Sequence, residues 1–226
     1  MGLVASQTTI PVPRVQQCVK WEGLWYLLMD YVEGADLAEV WGSLSEARQR
    51  QVAETLHSYV SQLRRVKLPH PSIPGPVNGT EEPLCCKGLM FSEYGAGPFR
   101  SCSDLSSWFS RKYQIALNYY ELRTREPVSS AVRNYCPDDS WNTLFLTHGD
   151  ISLTNVRVGE DGKIWLLDWG FSGAYSIFFE YAGIMRWDDA DSSWLKLASD
   201  VVGSCKQHFD VLSTVTWSLH YVSVED

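Results

Sequence analysis

The sequence has no Cys-x-x-Cys pair, no Cys/His cluster at zinc spacing, no long apolar run and no block of basic residues, and each absence removes a class of function. Six cysteines are present (Cys18, Cys85, Cys86, Cys102, Cys136 and Cys205), and the adjacent pair suits neither a mutual disulfide nor a structural zinc site. Free thiols in a reducing compartment are expected. No stretch is long and apolar enough to span a bilayer. Met1 to Ile10 lacks the charged region and apolar core of a secretory signal. The expectation is a cytoplasmic protein without membrane contact. A net charge of −8 also makes nucleic acid a poor partner, because phosphate binding needs clustered Lys and Arg. Arg64, Arg65 and Lys67 form a short basic patch that reads as a solvated helix end.

What is present is apolar material. Of 226 residues, 45% are hydrophobic and 13% aromatic, with ten tryptophans, which is ample for a packed core. There is no internal repeat or low-complexity segment. Residues 1–13 end in Ile10-Pro11-Val12-Pro13, and the prolines predict an extended entry. Val15 to Lys20 and Trp25 to Val32 read as two strands of a hairpin around Trp21-Glu22-Gly23-Leu24. Ser45 caps a predicted helix to about Arg64, with Val52, Leu56, Tyr59, Val60 and Leu63 on one core-facing stripe. Pro69–Pro76 and Asn78–Phe99 read as loops.

Further helices are predicted from Asp104 to about Leu122 with Ser103 as cap, from Val128 to Tyr135, and from Asp191 to about Tyr221. Short strands are predicted at Thr143–Thr147, Asn155–Val158 and Ile164–Leu167, the last two joined by the turn Glu160-Asp161-Gly162. This order predicts a mainly helical α+β fold. Trp21, Trp25 and Trp41 read as core, and His57, His208 and His220 as surface or packing residues. Asp188, Asp189 and Asp191 read as a solvated acidic loop.

The informative segment is Thr147-His148-Gly149-Asp150-Ile151-Ser152-Leu153-Thr154-Asn155, followed thirteen residues after Asn155 by Asp168, within Leu166-Leu167-Asp168-Trp169-Gly170. Phosphoryl transfer needs a carboxylate near the attacking hydroxyl and oxygen ligands for magnesium. Asp150 is the candidate to orient or deprotonate an acceptor, and Asn155 and Asp168 are the candidates to hold Mg2+. His148 reads as a structural hydrogen-bonding residue beneath the loop.

The pattern His-x-Asp-x-x-x-x-Asn, with Asp-Trp in place of the kinase Asp-Phe-Gly, resembles the aminoglycoside phosphotransferase and choline-kinase-like family of the protein-kinase-like superfamily. Thr8 to Val15 resembles the entry to the fourth upper-lobe strand of fungal members. Leu27-Leu28-Met29-Asp30-Tyr31-Val32-Glu33-Gly34 resembles the strand and hinge that bind adenine. Gly97-Pro98-Phe99 and Phe178-Phe179-Glu180-Tyr181 also resemble family segments. The resemblance implies a protein-kinase-like C-terminal lobe, mainly helical with short β-hairpins, plus a remnant hairpin of the N-terminal lobe. It implies ATP and Mg2+ as cofactors, the backbones of Asp30 and Val32 against the base, and a small-molecule acceptor that bears an amine.

The chain also departs from the family. No glycine-rich loop and no Val-Ala-x-Lys strand precede the hinge, and no acidic residue occurs before Glu22. The expectation is therefore residues 1–33 as a remnant of the nucleotide-binding lobe and 34–226 as the C-terminal lobe. A lone hairpin leaves an unpaired strand edge, so a second copy, a partner chain or the Met1 to Ile10 segment is expected to cover it. Three functional readings stay open: an active small-molecule phosphotransferase, a catalytically silent binding relative, and a metal-dependent enzyme of another class, such as one acting on a diphosphate substrate.

Overall fold

A computed structural model describes residues 1–88, 90–91, 95–185 and 192–221. It begins with a helix, α1 (Gly2–Gln7), where the sequence pattern predicts extended chain. The prolines act only from Pro11 onward. Upstream of them Val4 is buried, and the Thr8 hydroxyl donates to the Val4 carbonyl at 2.8 Å. α1 sits against the end of a later helix, with Lys67 N–H donating to the Gln7 side chain at 2.9 Å.

The hairpin follows as β1 (Val15–Trp21) and β2 (Leu24–Met29), an antiparallel pair that no third strand joins among the described residues. Both strands are exposed along their whole length. Trp21, Leu28 and Trp25 are 62%, 60% and 68% exposed, so two of the three tryptophans expected in the core lie outside it. They fail the expectation because, among the described residues, no layer packs on either face of the ribbon. Trp41 alone meets it, buried edge-on against Trp194. Met1 to Ile10 does not cover the ribbon, because Val4 and Ile10 are committed to the main core.

The remaining strands form two small sheets. β3 (Ala35–Asp36), β5 (Val156–Val158) and β6 (Ile164–Leu166) lie in the order β3-β5-β6, and β4 (Phe145–Thr147) pairs antiparallel with β7 (Gly173–Tyr175). The β5–β6 turn is closed by Gly162 N–H donating to Gly159 at 2.8 Å, in keeping with its turn sequence. Gly34 passes so close to β5 that a Cβ there would lie 2.1 Å from the Val158 carbonyl oxygen.

The helices are α2 (Leu37–Val40), α3 (Glu46–Leu63), α4 (Cys102–Thr124), α5 (Ser130–Arg133), α6 (Phe178–Met185), α7 (Ser192–Val202) and α8 (Lys206–Tyr221). Ser45 caps α3 through its hydroxyl, and the predicted stripe of Val52, Leu56, Tyr59, Val60 and Leu63 is buried. α4 is capped by Ser101 rather than Ser103, its hydroxyl accepting from Asp104 N–H at 3.1 Å. The single C-terminal helix expected from the periodicity is two, because Gly203 at φ +80° ends α7. Among the described residues no helix is long and apolar enough to cross a membrane, and all six cysteines are unpaired thiols. The Asp188, Asp189 and Asp191 cluster lies outside the described residues, as does the side chain of His220.

Two apolar clusters hold the fold together. One gathers Leu37, Leu56, Ile151, Leu166 and Trp194 beneath the short strands. The other is aromatic, with Phe91, Phe109, Trp141, Phe178 and Phe179 between α4 and α8. α6 serves both: Tyr181 and Ile184 belong to the first, Phe178, Phe179 and Ala182 to the second. Every residue from Phe178 to Ile184 is buried, so α6 is the central helix of the lobe. A polar side chain on such a helix must find its partners inside the protein.

Candidate active site

That requirement places Glu180. Its carboxylate accepts hydrogen bonds from the backbone N–H of His148 (2.6 Å) and of Gly149 (3.0 Å). Burial pushes its carboxyl up to about 7, and the two N–H donors and the Arg64 charge oppose that rise. One turn further along α6, Gly183 lies against the same loop; a Cβ there would be 2.7 Å from the Gly149 carbonyl oxygen. α6 is thus a bed on which the segment between β4 and β5 rests.

His148 fixes the loop from within. Its ring is fully buried and meets the Trp169 ring edge-on at 4.5 Å. Nε2–H donates to the Leu167 carbonyl at 2.9 Å, and Nδ1 accepts from Asp150 N–H at 3.3 Å. A carbonyl can only accept, so the proton sits on Nε2 and the imidazole is neutral. Burial pushes its pKa down to about 4, in line with that assignment. The structural role read from the sequence matches this geometry.

Asp150 is buried at the loop's centre, and Asn155 reaches back to it. Asn155 Nδ2 donates to the Asp150 carbonyl at 3.0 Å and to its carboxylate Oδ2 at 2.7 Å. Asp168 is brought alongside because Leu167 N–H donates to the Asn155 carbonyl at 2.9 Å. Asp168 holds φ +51°, a left-handed backbone that non-glycine residues rarely adopt, and its Oδ1 accepts from Gly170 N–H at 3.1 Å. The three residues singled out in the sequence therefore come from the loops that flank β5 and β6. Asn155 spends its amide nitrogen on Asp150 and keeps Oδ1 as an oxygen donor, and Asp168 is an exposed carboxylate. Two hard oxygen ligands next to open solvent fit Mg2+, which completes its shell with water and phosphate oxygens.

Asp30 and Val32 lie apart from this loop, on the segment after β2. Asp30 N–H donates to the Arg14 carbonyl at 3.0 Å. The Val32 carbonyl accepts from Arg157 Nη1 at 2.9 Å. The same guanidinium pairs with Asp36 at 2.8 and 2.9 Å and lies over the Tyr31 ring at 5.6 Å. Arg157 was not singled out in the sequence, nor was Gly183. Nothing local in the sequence marks Arg157, because its partners Val32 and Asp36 lie in another segment.

The phosphotransferase enzyme family (APH) matches residues 2–199 of this chain. Among solved structures, a thermostable mutant of aminoglycoside phosphotransferase APH(4)-Ia in apo form is 17% identical, with TM-score 0.57, over 96% of this chain and 74% of that one. A ternary complex of the same enzyme with ADP and hygromycin B is 16% identical, with TM-score 0.57, over 96% of this chain and 74% of that one. The gentamicin complex of APH(2")-IIa is 12% identical, with TM-score 0.54, over 97% of this chain and 70% of that one. At these identities the likeness is one of fold. No curated protein matches the chain.

Proposed function

The chain belongs to the phosphotransferase enzyme family, and on that premise we propose that it transfers the terminal phosphate of ATP to a hydroxyl group of a small molecule. The observation that carries this reading is the double contact of Asn155 with Asp150, on a loop whose backbone Glu180 holds from below. A carboxylate held at both its backbone and its side chain is oriented before substrate arrives.

In the reaction the acceptor oxygen forms a bond to the γ-phosphorus, and the bond from that phosphorus to the β–γ bridging oxygen breaks. ADP leaves with the electron pair. Asp150 orients the acceptor hydroxyl and takes its proton. Asn155 Oδ1 and the Asp168 carboxylate would hold Mg2+, which supplies charge neutralisation along the phosphates. The backbones of Asp30 and Val32 receive the adenine. Residues 1–33 serve as the nucleotide-side segment and 34–226 as the acceptor-binding lobe. The net charge of −8 favours an acceptor bearing an amine. The exposed β1–β2 ribbon favours a second copy or partner chain laid over it.

A second reading, a catalytically silent binding protein, is favoured by one observation: the only lysine of the ribbon, Lys20, lies over the Trp25 ring at 5.7 Å. Calorimetric titration with Mg-ATP, with Asp168→Ala as control, separates the two. Magnesium-dependent binding that the substitution removes supports phosphotransfer, and a screen of amine-bearing acceptors for ADP release follows. No binding at millimolar nucleotide would sink the enzyme reading.

A further inference from the structure

The N–H of Val32 and the carbonyl of Asp30 have no intramolecular partner among the described residues, whereas the Val32 carbonyl is taken by Arg157. Arg157 is itself held firmly. Its Nε and Nη2 both reach Asp36 Oδ1, its plane covers Tyr31, and the Arg157 and Asp36 side chains are 17% and 33% exposed. Charge-assisted bonds of this kind are the stronger class, and a guanidinium fixed at several points does not swing away. Its contacts place it at the hinge, against Val32, Asp36 and Tyr31. The hinge thus offers an incoming base one acceptor and one donor, in the order Asp30 carbonyl then Val32 N–H, and a cationic donor where a second acceptor would be.

Resting on the reading of this hinge as the base site, we propose that Arg157 is a base-selecting residue that makes the site specific for adenine over guanine nucleotides. Adenine presents a donor, N6–H, beside an acceptor, N1, and these match the two free hinge groups in order. Guanine presents an acceptor, O6, beside a donor, N1–H. To give O6 to Val32 N–H it must place N1–H on the Val32 carbonyl. That oxygen already accepts from Arg157; it keeps a second lone pair, but the fixed guanidinium charge beside it repels the incoming N1–H. Arg157 acts through Val32 and does not need to touch the phosphates or the acceptor.

The test is equilibrium binding of Mg-ADP and Mg-GDP to the full chain and to Arg157→Met. The parent is expected to favour ADP by about tenfold or more, the worth of one hydrogen bond. Arg157→Met is expected to narrow that preference about tenfold, chiefly by tightening GDP. A merely structural role would weaken both nucleotides alike and leave the ratio unmoved. A parent that binds both equally, or an unchanged ratio in the variant, overturns the assignment while leaving phosphotransfer intact. A parent that binds neither nucleotide overturns both. If Arg157→Met does not fold, the parent's own ratio decides.

Discussion

Replacing Glu180 with Gln exposes a proton exchange buried beneath the catalytic loop. In the folded chain burial raises the Glu180 carboxyl from 4.5 to about 7 and lowers the His148 imidazole from 6.5 to about 4. A raised carboxyl contributes stability that is full below 4.5 and is lost as pH rises through about 7. A depressed imidazole contributes stability that is present above 6.5 and is lost as pH falls through about 4. Between these ranges folding makes Glu180 take up a proton and His148 release one, so the pair's net effect is close to flat. Glu180→Gln leaves only the His148 release. Stability of the variant then falls by about 1.4 kcal/mol for each pH step of one below 6.5, roughly 3 kcal/mol by pH 4.5, relative to the parent. Urea unfolding of both proteins across pH 4.5 to 8 measures this, and the difference between the two curves cancels every other titrating group. Parallel curves would refute the reasoning, because they would mean that Glu180 enters the fold already charged at no cost.

Asp150→Asn keeps the contact with Asn155 but cannot accept a proton; kcat is expected to fall by about 10² to 10⁴ with ADP affinity unchanged, read by steady-state kinetics and calorimetry. Asn155→Ala removes both the partner of Asp150 and the proposed oxygen ligand, and the magnesium concentration for half-maximal nucleotide binding is expected to rise about tenfold. Gly183→Ala puts a Cβ against the Gly149 carbonyl, 2.7 Å away, which displaces the loop at a cost of about 1 to 3 kcal/mol in chemical denaturation and lowers kcat. If its stability and kcat both match the parent, α6 does not support the loop.

The candidate loop was legible as a structural unit because its polar residues are contiguous. His148, Asp150 and Asn155 sit in one short run, and a turn sequence announces the hairpin that returns to Asp168. The capped helix with its stripe from Val52 to Leu63 was legible for the same reason, since capping and periodicity are local. What supports the loop was not. Phe178-Phe179-Glu180-Tyr181 stood out as a family segment, but no helix was predicted there, and Glu180 and Gly183 act across the fold on residues more than thirty positions away. Arg157 read as an ordinary strand residue because its partners, Val32 and Asp36, lie in a different segment. α1 was missed because Val4 is drawn into helix by a tertiary core. The tryptophans of the ribbon were misplaced for the converse reason: their strands formed as expected, but burial depends on a covering layer that strand propensity does not supply.

The β1–β2 ribbon also governs how the protein behaves in a crowded tube. Among the described residues each strand pairs on one side only, and large apolar side chains stand on both faces. Every molecule therefore offers every other the same template for strand addition. The purified chain is expected to lose monomer at a rate that climbs with concentration. A lysine at Leu24 or Leu28, both exposed and remote in sequence from the catalytic loop, acts as a gatekeeper that slows this loss. Soluble yield would then respond to residues that take no part in the chemistry.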